Sequence, residues 1–226
     1  MNTETIEQLA NRYQTNPIIR GLIQVIPFGI GSAVDVALVT ILENIRGDRA
    51  REFFDELEKG AVQLTPEIIE SEDFLHCYFS TTRAALNTRR REKIRYFARL
   101  LTSSISSSEI STVDEYEEYL SILDELSFRE LGILVVRSRY EKEYPYPAGA
   151  SYRKQADQFW DRFSSEVCSR FSIPRGELKG ILLRLNRTGL YHETVNGRQE
   201  STNSSGELTP LYSKLEKLIR PDEDKF

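Results

Sequence analysis

The chain has few of the residues on which metal and disulfide chemistry depends. It contains two cysteines, Cys77 and Cys168, and two histidines, His76 and His192, among 226 residues. No Cys-x-x-Cys pair and no Cys/His ligand spacing occurs, which argues against a zinc site or a disulfide framework. We therefore predict two reduced thiols and neither a metal nor another cofactor.

The short motifs of common enzymes are also missing. The sequence has no nucleophile elbow, no Gly-rich phosphate loop and no His-Glu-x-x-His segment. Carboxylates are plentiful, but their spacing is that of charged helix surfaces. Catalytic groups converge in space rather than along the chain, so this absence ranks an enzyme below a binding protein without excluding one. We predict a protein that binds rather than catalyses.

No apolar run is long enough to cross a bilayer. The most apolar stretch, 21–42, has Asp35 as its only charge, and its uncharged part, 21–34, is shorter than the roughly 20 residues that a spanning helix needs. Pro27 and Gly29 interrupt it. The favoured interpretation is a helix–turn–helix hairpin buried in a helical core. The alternative is a concealed hairpin that enters a membrane in a second state.

The first residues, MNTETIEQLANRYQ, do not have the basic-then-apolar order of a signal peptide. We therefore expect a cytoplasmic location.

Helix signals, in contrast, are frequent. Thr112 with Glu115 and Ser127 with Glu130 form S/T-x-x-E capping boxes, each followed by apolar residues at helical spacing. These patterns predict an all-helical body over 1–142. Its helices are expected near 4–14, 17–26, 32–46, 48–62, 66–87, 89–106, 113–126 and 128–142.

The segment 143–151 (EYPYPAGAS) is a predicted linker, because two prolines and a glycine forbid a continuous helix. Residues 152–226 then predict a winged-helix-like module. Its expected elements are helices over 152–171 and 175–188, a strand over 190–195, a glycine- and serine-rich loop, a return strand at Leu208 and a helix to Ile219. The predicted fold is thus mainly α, a helical bundle followed by this module.

The charge distribution favours an anionic partner at the C-terminal end. Residues 151–220 carry 12 Lys and Arg against 8 Asp and Glu, whereas residues 1–150 carry 17 against 24. On the predicted helix 175–188, the apolar face leaves one surface outward, which we predict to bind a partner protein. This surface comprises Gly176, Gly180, Leu183, Arg184 and Arg187. A DNA-recognition helix would present base-reading side chains at the positions of these glycines. Glycines there favour binding to a protein over sequence-specific binding to DNA.

A second basic region lies at 83–99. Arg91, Arg95 and Arg99 recur every four residues and form a stripe that predicts an anion-binding site for phosphate or anionic lipid. The alternative, which we favour, is a solvated helix face balanced by acidic residues on neighbouring helices, with 115–130 as the expected source.

Two segments, REKIRYFARLLTSSI (91–105) and EYLSILDELSFRELGIL (118–134), resemble bacterial abortive-infection alpha-type proteins. The matching positions are Leu100, Leu101, Leu126, Ser127, Glu130 and Leu134. The resemblance implies an apolar N-terminal region, a terminal winged-helix-like piece and a role in phage defence.

The leading hypothesis is therefore a protein–protein interaction or phage-defence effector with a concealed apolar hairpin. The first alternative is a winged-helix nucleic-acid-binding regulator, with weak and non-specific nucleic-acid binding expected. The second alternative is a structural scaffold without a conformational switch.

Overall fold

The structure is a computed structural model, and it describes residues 3–26, 36–60, 65–106, 110–145, 152–193 and 206–219. Within these ranges the chain is mainly helical, as predicted, and its strands fall inside the predicted C-terminal region. The elements in chain order are α1 Thr3–Arg12, α2 Pro17–Gln24, α3 Val36–Lys59, α4 Pro66–Ile69, α5 Glu72–Asn87, α6 Arg91–Ser106, α7 Val113–Glu125, α8 Phe128–Glu143, α9 Tyr152–Phe171, α10 Leu178–Arg187, β1 Tyr191–Glu193, β2 Gly206–Leu208 and α11 Pro210–Ile219.

The predicted capping box at the start of α8 is present. Ser127 Oγ accepts a hydrogen bond from the Glu130 amide at 3.2 Å, and Glu130 Oε2 accepts one from the Ser127 amide at 2.8 Å. At α7, Thr112 Oγ1 accepts from the Glu115 amide, and the Glu115 carboxylate accepts from the Ser111 amide at 3.0 Å. The local four-residue pattern therefore placed both helix starts correctly.

Two predicted helix boundaries were wrong. Helix α3 runs without a break through Gly47, where separate helices over 32–46 and 48–62 were expected. A glycine inside a helix costs about 1 kcal/mol, but here α1 approaches closely, because a Cβ on Gly47 would lie 3.2 Å from Thr5 Cγ2. The predicted helix 66–87 is instead two helices, because Ser71 caps α5 by accepting from the Phe74 amide.

The chain divides into two compact units. The first comprises residues 1–124 and 218–221, and the second comprises 125–217 and 222–226. The division precedes α8, whereas the sequence placed the boundary at the linker 143–151. The physical reason is that α8 packs against α9 within the second unit.

The first unit has an aromatic core built from α1, α3, α5 and α6. Phe54 and Phe97 are fully buried, and the Phe54 ring lies 6.1 Å from that of Tyr13. Tyr78 is also buried, and its hydroxyl donates to the Leu22 carbonyl oxygen at 2.7 Å, which ties α5 to α2. The bend of the predicted apolar hairpin, 27–35, lies outside the described residues.

The second unit joins α8 and α9 to a small antiparallel sheet. Strands β1 and β2 pair in the register Tyr191↔Leu208, His192↔Glu207 and Glu193↔Gly206. A Cβ on Gly206 would collide with the Tyr191 side chain, so the close approach of the strands needs glycine here. With α10 before and α11 after it, this hairpin has the element order that the sequence predicted.

A buried arginine lies beneath the hairpin. Arg137 of α8 stacks on Phe159 of α9, with its guanidinium carbon 4.6 Å from the ring centre. Its Nε donates to Glu141 Oε1 at 2.8 Å, and its Nη2 donates to the Gly206 carbonyl oxygen. Glu141 Oε1 also accepts from the Leu208 amide at 3.2 Å, so this ion pair holds β2 against α8.

Candidate functional site

The candidate site is the outward side of α10 and of the turn before it. The helix begins at Leu178 rather than at 175, so Gly176 lies in the preceding turn. There the Glu177 amide donates to the Pro174 carbonyl oxygen at 2.8 Å. The helix ends before Gly189, whose φ of 75° is the left-handed conformation that favours glycine at a helix C-terminus.

The inward side of α10 is apolar and fixes the orientation of the helix. Leu178, Leu182 and Leu185 are buried. Burial of each leucine side chain stabilises the folded unit by about 1.5–3 kcal/mol. Because these residues recur every three or four positions, they leave the opposite side of the helix in solvent.

Four of the five predicted partner-binding residues share that exposed side. We call Gly176, Gly180, Leu183 and Arg187 the α10 surface. Apart from chain neighbours and the backbone of the helix itself, no atom in the described part of the chain lies within 4 Å of the position that a Cβ would take on either glycine, so the backbone is open to close approach. Leu183 is 44% exposed, one of three large apolar side chains that are exposed in the described ranges.

Arg184, the fifth predicted residue, has a different role. Its Nε donates to Glu130 Oε1 at 2.6 Å, and its Nη2 donates to Glu130 Oε2, which ties α10 to the first turn of α8. The Glu130 side chain is only 4% exposed, although that of Arg184 is 60% exposed. Arg184 is therefore an anchor of the helix within its own unit, and its guanidinium is already occupied.

The Glu130 carboxylate is held ionised by its partners. Burial acts to raise its pKa, but the hydrogen bonds from Arg184 and Ser127 outweigh burial, and the pKa lies below its ordinary value. The same contact raises the pKa of Arg184. One carboxylate thus completes the α8 capping box and also fixes α10, a coupling across 54 positions that sequence patterns do not reveal.

Two further cations flank the α10 surface. Arg175 and Lys179 are exposed, and they lie eight and four residues before Leu183. Arg175 Nη2 lies 3.4 Å from Ser165 Oγ. For Lys179 and Arg187, no ion pair is formed with another described residue. The α10 surface therefore combines an accessible backbone at two glycines with one exposed leucine, and basic side chains lie at its edge.

The predicted anion-binding stripe is engaged within the first unit. Arg95 Nε donates to Glu52 Oε1 at 2.5 Å, and Arg99 Nε donates to Glu56 Oε1 at 2.6 Å. Both carboxylates belong to α3, so the expectation that 115–130 would supply the balancing acids was wrong. Arg91 is exposed. Because two of the three guanidiniums are paired with carboxylates of α3, this stripe is a helix–helix contact.

The buried pair of Arg137 and Glu141 was missed as a structural determinant. Its only signal in the sequence is an Arg-x-x-x-Glu spacing that directly follows the apolar run LGILVV of α8. Burial raises the pKa of the Glu141 carboxyl, against the opposing effect of Arg137. The pair holds the β1–β2 hairpin, which lies next to α10, and it is not part of the α10 surface.

No protein family, no curated protein and no solved structure matches the chain. The resemblance to abortive-infection proteins therefore remains a prediction. None of the helices in the described part of the chain is long and apolar enough to span a membrane.

Proposed function

We propose that the second unit is a winged-helix-like module that binds a partner protein through the α10 surface. The observation that carries the proposal is the combination of two unobstructed glycines with the exposed Leu183. An open backbone lets another chain approach closely, and burial of the exposed Leu183 side chain in such a contact removes apolar area from water. The order α10, β1, β2, α11 supports the winged-helix comparison.

The chemistry of the surface indicates what the partner offers. Lys179 and Arg187 at the margin favour a partner segment with acidic residues, and Leu183 favours an apolar side chain between them. Arg184 is excluded from this list, because Glu130 holds its guanidinium. We infer an acidic segment with one apolar anchor, bound without catalysis.

Site-specific photocrosslinking tests this proposal directly. A photoreactive phenylalanine analogue at position 183, in the full chain expressed in its own host, is expected to crosslink to one protein. The same analogue at Asp157, an exposed residue of α9 in the same unit, is the matched control and is expected to give no product.

A second variant separates loss of binding from loss of folding. Gly180→Trp places a large side chain on the open backbone, where no described atom lies within 4 Å of the Cβ position. It is expected to abolish the crosslink from position 183 without lowering the melting temperature. Crosslinking to nucleic acid, or no product from position 183, contradicts the proposal.

The alternative function, nucleic-acid binding, is favoured by one observation, the spacing of Arg175, Lys179 and Arg187 along one side of the turn and helix. Such binding would rest on phosphate contacts alone. If all three cations neutralise phosphates, log K falls with log salt with a slope of about −2.7. Mobility shifts with unrelated duplexes are then expected to be equal. A preferred sequence lost in Arg187→Ala promotes the regulator hypothesis.

For the whole chain, we propose a role as a phage-defence effector with a concealed apolar hairpin, on the basis of the resemblance described above and of the stretch 21–42. Substitution of Gly29 or Gly31 by valine, at the predicted bend, is expected to abolish any leakage of anionic liposomes without changing the thermal melt. Plating efficiency of phage on cells that express the chain, compared with Leu183→Arg, tests whether the α10 surface serves that role.

A further inference from the structure

The first unit contains a cavity of about 300 Å³ that is separate from the α10 surface. Its walls come from α4, α5, the end of α6, the turn at 110–112 and the start of α7. Ile68, Phe74, Leu101, Ile105 and Val113 supply an apolar lining. At the packing density of protein interiors, such a volume holds about 220 Å³ of ligand atoms, a compact group of roughly a dozen non-hydrogen atoms.

One carboxylate lines this cavity. Asp73 lies in the first turn of α5, is exposed to solvent and forms no ion pair with any described residue. The hydroxyl groups of Ser104 and Thr112 also line the cavity, but each is engaged with the backbone: Ser104 Oγ donates to the Leu101 carbonyl oxygen, and Thr112 Oγ1 accepts from the Glu115 amide. Asp73 is therefore the charged group that a bound molecule meets.

The segments that form the walls of the cavity carry acidic residues and no lysine or arginine. The two stretches that supply its walls, 65–82 and 100–128, contain no lysine and no arginine. Exposed carboxylates are found on both stretches, namely Glu67, Glu70, Glu72, Asp114, Glu117 and Glu118. Glu117 pairs with His76 at 2.6 Å, and the other carboxylates have no ion pair with a described residue. Carboxylates clustered around a pocket raise the local concentration of ligands of the opposite charge.

We propose that this cavity binds a small organic cation, a compact apolar body that carries one amine. The apolar body fills the space between α5, α6 and α7, and the amine lies against Asp73. Apolar pockets with few polar groups commonly take ligands in this way, with the polar groups fixing their orientation.

Cys77 provides a reporter inside the cavity. Its thiol lines the wall and is half-buried. Burial, with smaller contributions from Asp73 and Glu117, raises the pKa of the Cys77 thiol to about 11, so the thiol is neutral at pH 7 and alkylates slowly. With Cys168→Ser as the background, alkylation by iodoacetamide at pH 9 reports on Cys77 alone. A ligand in the cavity is expected to slow this reaction in proportion to its occupancy.

Three probes of similar shape test the charge requirement: tryptamine, its neutral alcohol tryptophol, and the anion indole-3-acetate. Ligand-observed NMR is expected to rank the affinities as cation, then alcohol, then anion. Asp73→Asn is expected to lower the tryptamine affinity by up to about fivefold, the size typical of exposed ion pairs, and to leave tryptophol unchanged. Glu118→Gln, the same charge change at an exposed residue that does not line the cavity, is expected to retain most of the preference.

Filling the cavity tests the location. Ile105→Trp, at the half-buried end of α6, is expected to abolish binding of all three probes and the protection of Cys77. If that variant loses its helical circular dichroism, Val113→Trp fills the opposite wall instead. The proposal is overturned if no probe binds at millimolar concentration, if the anion binds as well as the cation, or if binding survives in a folded filled variant.

Discussion

Arg184 either anchors α10 through Glu130 or contacts a partner protein, and removing the contact between these two side chains distinguishes the two roles. The contact is removed by Arg184→Ala or by Glu130→Ala. Arg184→Ala leaves a carboxylate that is 4% exposed with Ser127 as its remaining partner. Hydrogen bonds to charged groups contribute about 1.5–3 kcal/mol, and the 60% exposure of Arg184 lowers this value toward that of a surface pair. We expect a loss of about 1–2 kcal/mol. Glu130→Ala also removes half of the capping box, which adds about 0.5–1 kcal/mol.

Hydrogen exchange followed by mass spectrometry measures this loss locally, which matters because the chain has two compact units and need not unfold in one step. Peptides that cover α10 and the first turns of α8 are expected to exchange about tenfold faster in Arg184→Ala, since 1.4 kcal/mol corresponds to a factor of ten. The double variant with Glu130→Ala is expected to be no worse than Glu130→Ala alone. Exchange at the wild-type rate in Arg184→Ala refutes the anchor role and restores Arg184 as a partner contact.

The same contact predicts a pH dependence with a defined sign. Because the folded-state pKa of Glu130 lies below its ordinary value, the interaction stabilises the unit above the unfolded-state pKa and is lost as the pH falls through the folded-state pKa. The difference in protection between the wild type and Glu130→Gln is therefore expected to be full at pH 7 and to vanish on acidification. A difference that grows as the pH falls contradicts the assignment.

Two further predictions concern packing in the second unit. Gly132→Ala is expected to cost about 1–3 kcal/mol in unfolding free energy, because its Cβ would lie 2.5 Å from Phe171 Cζ. Gly180→Ala, with no described atom within 4 Å of its Cβ, is expected to stabilise the helix by up to about 1 kcal/mol. Thermal melts compare the two variants, and equal shifts in melting temperature contradict the packing argument. Arg137→Met is expected to cost about 1.5–3 kcal/mol, because Glu141, whose side chain is 20% exposed, loses its charged partner. Adding Glu141→Met is expected to recover most of this loss; a double variant less stable than Arg137→Met shows that the pair contributes net stability.

Local order was predictable because its causes lie within a few residues. Ser127 and Glu130 are three positions apart, and their reciprocal hydrogen bonds form as soon as the chain turns into a helix, whatever packs against it later. The inward leucines of α10 follow from their spacing, and Gly189 follows from the backbone conformation that ends the helix. From such patterns the sequence alone determined the helical class, the position of the β1–β2 hairpin and the exposed side of α10.

The tertiary structure decided which partner each charged side chain takes. Arg184 could have faced a ligand, yet the fold of the second unit places Glu130 of α8 beside it, and nothing local specifies that approach. Arg95 and Arg99 pair with α3 rather than with 115–130 for the same reason. Gly47 lies inside a continuous helix at a point where α1 approaches closely. The cavity beside Asp73 forms where the walls from α5, α6 and α7 meet. Contacts between distant segments depend on how whole helices pack, and residue spacing carries no record of that packing.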